Sequence, residues 1–429
     1  MSTISAALLM LGVMLYGLPL ARLFDRTMRG PLLAGTAFLL GSGAVGLHLF
    51  GLSVIQISWT RTSVLLSLVP LLTVAVLWLR RRPAVDAPAL FSWKPSWIDL
   101  LTIVVVASYA VFAVWASPYE WDFFGIWGLK ARWFFEARGI DWASVPFVGK
   151  PDYPVLVPLQ MDFVAVVTGG WNDRAFGWIY FGLSVALLAV IRGMLANDLK
   201  HPALATLAIA FPTLNLWIGL GEGAVMAYGV AGLLFIRTGS IGLGAVMLGL
   251  AASSKNEGLA LIAVSAVALI VATRGIRSVL RLWPAVVLVV PWMIVRAVLD
   301  LPTDFVQGSM MSRILARLGN PAEVWDAFVK SPPDQPWFWL FAILAVLVFF
   351  RDAIRRETFL LLATAMQLGL MLAQGLATTW DFAAHVSLTL NRLPHQMAPA
   401  LGFLAVVVLG RVWWGEEEPA REWKQDQGV

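Results

Sequence analysis

The chain has 429 residues, 59% of them hydrophobic and only 13% charged, with a formal net charge of +5 and no cysteine. A soluble protein carries about 25% charged residues, and the mean hydropathy here is +0.78. These values exclude a soluble multidomain enzyme, a disordered chain and a disulfide scaffold, and with them thiolate catalysis and cysteine-bound metal.

Apolar runs long enough to cross a hydrocarbon core of ~30 Å recur from end to end, and in lipid each must satisfy its own backbone as a helix. The first, 4–21, lacks a small-residue cleavage site and reads as a retained helix. Further spans are expected at 33–57, 63–79, 98–117, 175–196, 203–219, 221–237, 240–253, 258–273, 282–299, 337–350, 358–376 and 396–413. The fold class is therefore an all-α polytopic membrane protein of about 11–13 transmembrane helices. It divides into N-terminal helices (1–97), a transmembrane core (98–299) holding the first outer loop (118–174), a second outer loop (300–336), C-terminal helices (337–414) and a cytoplasmic tail (415–429).

When the spans alternate, four basic clusters fall on one side: Arg22, Arg26 and Arg29; Arg80, Arg81 and Arg82; Arg274, Arg277 and Arg281; Arg351, Arg355 and Arg356. The positive-inside rule makes that side cytoplasmic. The same asymmetry accounts for a pI near 9.6 without a nucleic-acid partner. Both long loops, 118–174 and 300–336, then lie outside, and amphipathic helices in the membrane interface fit both.

The first loop opens with Tyr119-Glu120-Trp121-Asp122 and continues through Trp127, Lys130, Arg132 and Trp133 to Pro151-Asp152-Tyr153-Pro154. A carboxylate among aromatic rings at the interface is partly desolvated, which raises its pKa, while a neighbouring cation lowers it; such a group can be tuned as a general base. The same residues also fit an aromatic belt in which Asp122 caps the following helix. Ser254-Lys255-Asn256-Glu257-Gly258 makes a polar turn between two apolar runs, where Lys255 and Glu257 also simply pair with each other. Glu222 stands between Gly221 and Gly223 in another tight turn. An ionisable group at membrane depth is a functional candidate by default, although a turn carboxylate can also meet water.

Trp380-Asp381-Phe382, His385 and Asn391-Arg392-Leu393-Pro394-His395 precede the last span. Arg392 offers the forked donor set that suits a phosphate; the alternative is an aromatic-and-cation anchor for the final helix. His385 and His395 have no third ligand at standard spacing, so no metal site is expected. There is no P-loop, no Gly-x-Ser-x-Gly elbow and no His-Glu-x-x-His.

Together these motifs resemble the GT-C superfamily of integral-membrane glycosyltransferases, particularly its bacterial protein-mannosyltransferase-like branch. Glu120-Trp121-Asp122 through Trp127 and Lys130-Ala131 is similar to that group's acidic first outer loop. Pro151-Asp152-Tyr153-Pro154-Val155-Leu156 resembles its Asp-Tyr-Pro element, Lys255-Asn256-Glu257-Gly258 its Lys-Asn-Glu-Gly turn, and His385 with Asn391-Arg392 its C-terminal His…Arg stretch. The resemblance implies an inverting enzyme without a cofactor. It takes a sugar from a polyprenyl-phosphate donor to a hydroxyl of a glycan, lipid or protein acceptor, on the extracytoplasmic side of a bacterial inner membrane. It points to Asp122 as general base, with Glu120 as second choice. Candidates for the donor phosphate are Arg392, Lys255, His385 and Lys130. Candidates for substrate binding are Glu257, Glu222, Asp152, Tyr153 and Trp127.

The chain departs from its relatives in two places. Trp121 separates Glu120 from Asp122 where many relatives have paired acids, and Glu222 stands where relatives often have Asp. Two rival classes use similar lipid-linked substrates. A transporter or flippase is expected to show repeats and ionisable groups near mid-membrane. A ligase or polymerase is expected to place its acceptor loop late in the chain. A scaffold protein has no need of polar residues gathered on one face.

Overall fold

The computed structural model describes residues 3–81, 93–118, 120–214, 218–303, 309–389 and 392–414. Every regular element among them is helical. Helices α1 (Thr3–Phe24) and α2 (Gly30–Val54) meet backbone to backbone. A Cβ placed on Gly17 would lie 1.8 Å from the carbonyl oxygen of Ala37, and one on Gly41 2.1 Å from that of Val13. Small residues permit this approach, which matters where lipid supplies no hydrophobic drive between helices. α3 (Arg61–Arg81) follows, then α4 (Trp97–Trp115), started by a capping box in which Ser96 and Asp99 satisfy each other's backbone N–H groups. Asp99 also pairs with Arg192, farther along the chain, at 2.7 Å.

Next come α5 (Gly128–Ala137), α6 (Leu156–Thr168) and α7 (Asp173–Asp198), the last capped by Asn172. The first loop therefore departs from the interfacial arrangement expected of it. From Leu156 to Val167 every residue of α6 is buried, so this helix belongs to the core. Gln160 joins it to its neighbours, donating to Ser42 of α2 at 2.9 Å and to the Tyr228 hydroxyl at 2.8 Å.

The span expected at 203–219 does not form as one helix. It is divided into α8 (Pro202–Ala208) and α9 (Ala210–Thr213), and Pro212 lacks the N–H needed to continue the ladder. α10 (Glu222–Arg237) is buried at all 16 positions and forms the centre of the bundle. α11 (Ile241–Ser254) and α12 (Glu257–Thr273) pack beside it, α13 (Arg277–Leu280) follows α12, and α14 (Trp283–Val298) packs against α11.

In the second loop, α15 (Met310–Leu318) and α16 (Pro321–Lys330) are amphipathic, with Met311, Leu315, Leu318, Trp325 and Val329 exposed, as the sequence suggests for helices at an interface. α17 (Pro336–Val348) bends by 78° into α18 (Phe350–Arg356). The chain then forms α19 (Thr358–Leu376), α20 (Phe382–Thr389) and α21 (Ala398–Trp414). Arg313 and Arg317 of α15 donate to the carbonyls of Ala377 and Leu376 at 2.6 and 2.9 Å, covering acceptors that the end of α19 leaves open.

Among the described residues, six stretches are long and apolar enough to cross a membrane: Ile4–Phe24, Gly30–Val54, Arg61–Arg81, Asp173–Asp198, Thr358–Leu376 and Phe382–Trp414; the bent pair α17–α18 makes a seventh if counted as one span. The protein is thus a multi-pass helical membrane protein. The larger number expected from hydropathy includes apolar helices of 10–17 residues, among them α11, α12 and α14. At 1.5 Å per residue, a 16-residue helix such as α10 reaches only about 24 Å.

A second polar feature, at the far end of α10, escaped the sequence reading. Arg237 is gripped by Glu357 at 2.5 and 2.6 Å and by Asp198 at 2.7 Å, and Arg411 joins Glu357 at 2.9 Å. All four residues are buried. This network ties the ends of α7, α10 and α21 to the start of α19.

Candidate functional site

The opposite end of α10 begins with Glu222, whose side chain is fully buried. Burying a lone carboxylate is costly unless it is paired, and here two cations serve it. Lys255, between α11 and α12, lies 2.9 Å from Glu222 and also 2.9 Å from Glu257, the first residue of α12. Arg392 approaches the same Glu222 oxygen at 3.4 Å and donates to Asp122 at 3.0 Å. The result is a continuous alternation, Asp122–Arg392–Glu222–Lys255–Glu257. Only its Asp122 end is accessible, with side-chain exposures of 17% for Asp122 and 23% for Arg392.

Local structure explains why these residues meet. Asp122 precedes a π-helical turn, Phe123–Trp127, and makes no capping hydrogen bond, so its carboxylate is left for Arg392. π-Turns occur often at functional sites because they re-aim side chains. The reading of Asp122 as a helix cap therefore does not hold. At the other end, Gly258 allows the first turn of α12 to lie against the last turn of α11. A Cβ there would fall 2.3 Å from the backbone nitrogen of Ala252. That approach sets Lys255 and Glu257 back to back.

Asp152 joins through Asn256, whose side-chain amide donates to it at 2.8 Å, while Arg296 of α14 stands 4.0 Å away and Trp292 donates to its backbone carbonyl at 3.2 Å. The Lys255 ammonium lies 5.9 Å from the Tyr153 ring centre. Trp127 is fully buried and stacks behind Tyr153 at 5.5 Å, supporting that ring instead of presenting its own surface.

Three predicted residues stand apart. Lys130 is 1% exposed and turned away from the array; its ammonium donates to the carbonyls of Lys150 and Tyr153 at 2.6 and 3.1 Å. It fastens the Asp-Tyr-Pro segment to α5 and is not placed to receive a phosphate. Burial pushes its pKa down to about 7, against the pull of Asp152 in the other direction. His385 packs edge-on to Trp380 at 6.1 Å, outside the chain of ion pairs. Glu120 is half-buried and acts on Arg392 only through space. Asn391 lies outside the described residues. His395, considered as a metal ligand, is fully buried against the Pro212 carbonyl at 3.1 Å.

The array is recessed. Gln367, which donates to the Glu257 backbone at 3.3 Å, lies halfway along the spanning helix α19. α10 and α12 both begin at this level, with Glu222 and Glu257 as their first residues. Beside the array a cavity of about 250 Å3 opens between α12, α14 and α19. Comparison with known proteins finds no family model, no curated protein and no solved structure that matches this chain.

Proposed function

We propose that the protein is a GT-C-type inverting glycosyltransferase, moving a sugar from a polyprenyl-phosphate donor to a hydroxyl acceptor at the extracytoplasmic face of a bacterial inner membrane. In this reading the shorter apolar helices cross or line the bilayer beside the full-length ones, giving about 11–13 membrane helices in all. The observation that carries it is the partly exposed Asp122–Arg392 pair at 3.0 Å, which sets a proton acceptor next to a guanidinium suited to a phosphate.

The chemistry follows from that pairing. A carboxylate held by a guanidinium is engaged and unavailable. A donor phosphate entering beside Arg392 takes the guanidinium and releases Asp122. The acceptor oxygen then bonds to the sugar's anomeric carbon as the bond from that carbon to the phosphate oxygen breaks. The electron pair leaves with the phosphate, where Arg392, and Lys255 behind it, meet the charge; the hydroxyl proton goes to Asp122. General-base assistance of this kind is worth about 10²–10⁴-fold. The phosphate is a good leaving group without an acid, so one carboxylate suffices, unlike the paired carboxylates of glycoside hydrolases. The donor's isoprenoid chain stays in lipid while its head enters the recess.

The test is reconstitution with polyprenyl-phosphate sugars and hydroxyl acceptors. Asp122→Asn is expected to abolish transfer while leaving expression and donor binding intact. Near-normal turnover by that variant removes Asp122 from the role. A second reading, transport of lipid-linked glycans, draws on the recession of the ion pairs halfway along α19. It is distinguished by substrate movement across vesicles without glycosyl transfer, in wild type and Asp122→Asn alike.

A further inference from the structure

The cavity between α12, α14 and α19 has an unusual wall. Glu257, Asn256 and Gln367 line it, and each is more than nine-tenths shielded, with exposures of 5%, 9% and 1%. Among the described residues, Glu257 Oε2, Asn256 Oδ1 and Gln367 Oε1 have no hydrogen-bond partner. The amide orientations are fixed by what the nitrogens do. Asn256 Nδ2 donates to Asp152, and Gln367 Nε2 donates to the Glu257 carbonyl. The atoms left over are therefore all acceptors. One buried acceptor without a donor is costly, and three such acceptors belong to residues that line this one cavity, which calls for an occupant that brings donors.

The remaining walls narrow the choice. Arg296 lines the cavity too, and its positive charge disfavours a cationic occupant. The Glu257 carboxylate and the acceptor-only set disfavour a phosphate. Leu370 and Met371 provide an apolar side, and Leu370 is 46% exposed where the cavity meets the outer surface of α19. At about 250 Å3 the space falls below the roughly 300–1,000 Å3 of pockets for drug-sized ligands, which suits one ring and not a chain of them.

We propose that this cavity binds a single neutral, hydroxyl-rich sugar ring, its hydroxyls donating to Glu257, Asn256 and Gln367 and its carbon face lying on Leu370 and Met371. Calling that sugar a substrate rests on the glycosyltransferase reading; the binding itself does not.

The experiment uses the full-length protein in lipid nanodiscs. Octyl β-glucoside, added below its micelle-forming concentration, is compared with octyl phosphate and octyltrimethylammonium in saturation binding. These probes share one tail and differ in the head. Octyl glucoside is expected to bind saturably and in preference to both others. Gln367→Met is expected to weaken it by about tenfold or more, the size of one lost hydrogen bond to a buried acceptor. Should Gln367→Met fail to fold, as read by loss of a monodisperse elution peak, Glu257→Gln removes an acceptor with little change of shape and is expected to weaken binding likewise. Equal binding of all three probes, preference for octyl phosphate or the ammonium, or full binding by both folded variants overturns the proposal. Asp122→Asn separates the two readings. If neither wild type nor Asp122→Asn transfers sugar while octyl glucoside binds wild type and loses affinity in Gln367→Met, the glycosyltransferase reading fails and the sugar site stands. If it loses transfer while wild type shows no glucoside preference, the sugar site fails and the catalytic reading stands.

Discussion

The guanidinium of Arg392 donates to the carboxylate of Asp122 at 3.0 Å, across 270 positions of the chain. Neither group has a local partner that would explain the contact. The π-turn after Asp122 offers it no capping role, and Arg392 is drawn inward by Glu222, which Lys255 already serves. Because Glu222 keeps Lys255, removing the guanidinium leaves no buried carboxylate wholly unpaired. Arg392→Ala is therefore expected to fold and to lower kcat/KM for transfer by about 10²–10³-fold, the usual cost of one fixed donor to a developing oxyanion. Kinetics equal to wild type would detach Arg392 from the reacting phosphate.

The network at the far end of α10 behaves differently. Arg237 is held by both Glu357 and Asp198, and all three are buried. Arg237→Met takes the buried guanidinium away from both Asp198 and Glu357, while Glu357 keeps its contact with Arg411. Breaking one side of a buried ion pair costs about 3–5 kcal/mol, so a large drop in thermal midpoint is expected. Adding Asp198→Asn and Glu357→Gln to that variant is expected to recover much of the loss, since the penalty comes from uncompensated charge. A midpoint unchanged by Arg237→Met contradicts this account.

The contrast between these clusters shows what hydropathy and motif can reveal. Glu222, Lys255 and Glu257 were visible because each interrupts an apolar stretch, where an ionisable group needs a reason. Their pairing order was not visible, because it depends on how α10, α11 and α12 stack. Lys130 misled for a related reason: it follows Asp122 by about two helical turns in the chain, yet its ammonium goes to the carbonyls of Lys150 and Tyr153. The Arg237 network left a signal that was passed over. Asp198 and Glu357 are acids at the ends of apolar runs, on the side read as basic, and Glu357 directly follows Arg355 and Arg356. Counting basic clusters alone conceals an acid set among them.

Gly258 supplies a backbone test of the same recess. A Cβ there would lie 2.3–2.5 Å from backbone atoms of Ala251 and Ala252, which cannot turn aside as a side chain would. Gly258→Ala is expected to push α12 off α11, at a cost of about 1–3 kcal/mol for overpacking. It should also weaken any activity by parting Lys255 from Glu257. A variant with wild-type midpoint and turnover would mean that the two turns are not in contact.

Lys130 makes the pH dependence specific. Its pKa falls from an ordinary 10.5 to about 7, mainly because burial disfavours the ammonium. A neutral amine keeps two N–H groups, enough for both carbonyls it serves. Between about pH 7 and 10.5 the unfolded chain binds the proton that the folded one has released, so stability rises with pH across that window. Below pH 7 both states are protonated and the folded protein bears the full penalty. The thermal midpoint is therefore expected to climb as pH is raised from 7 toward 9.5, a window set by the shifted lysine. Lys130→Met, which removes the titrating group and keeps its bulk, is expected to flatten that climb. Parallel slopes for wild type and Lys130→Met would show that the ammonium pays no burial penalty, and that the carbonyls of Lys150 and Tyr153 with Asp152 hold it charged throughout.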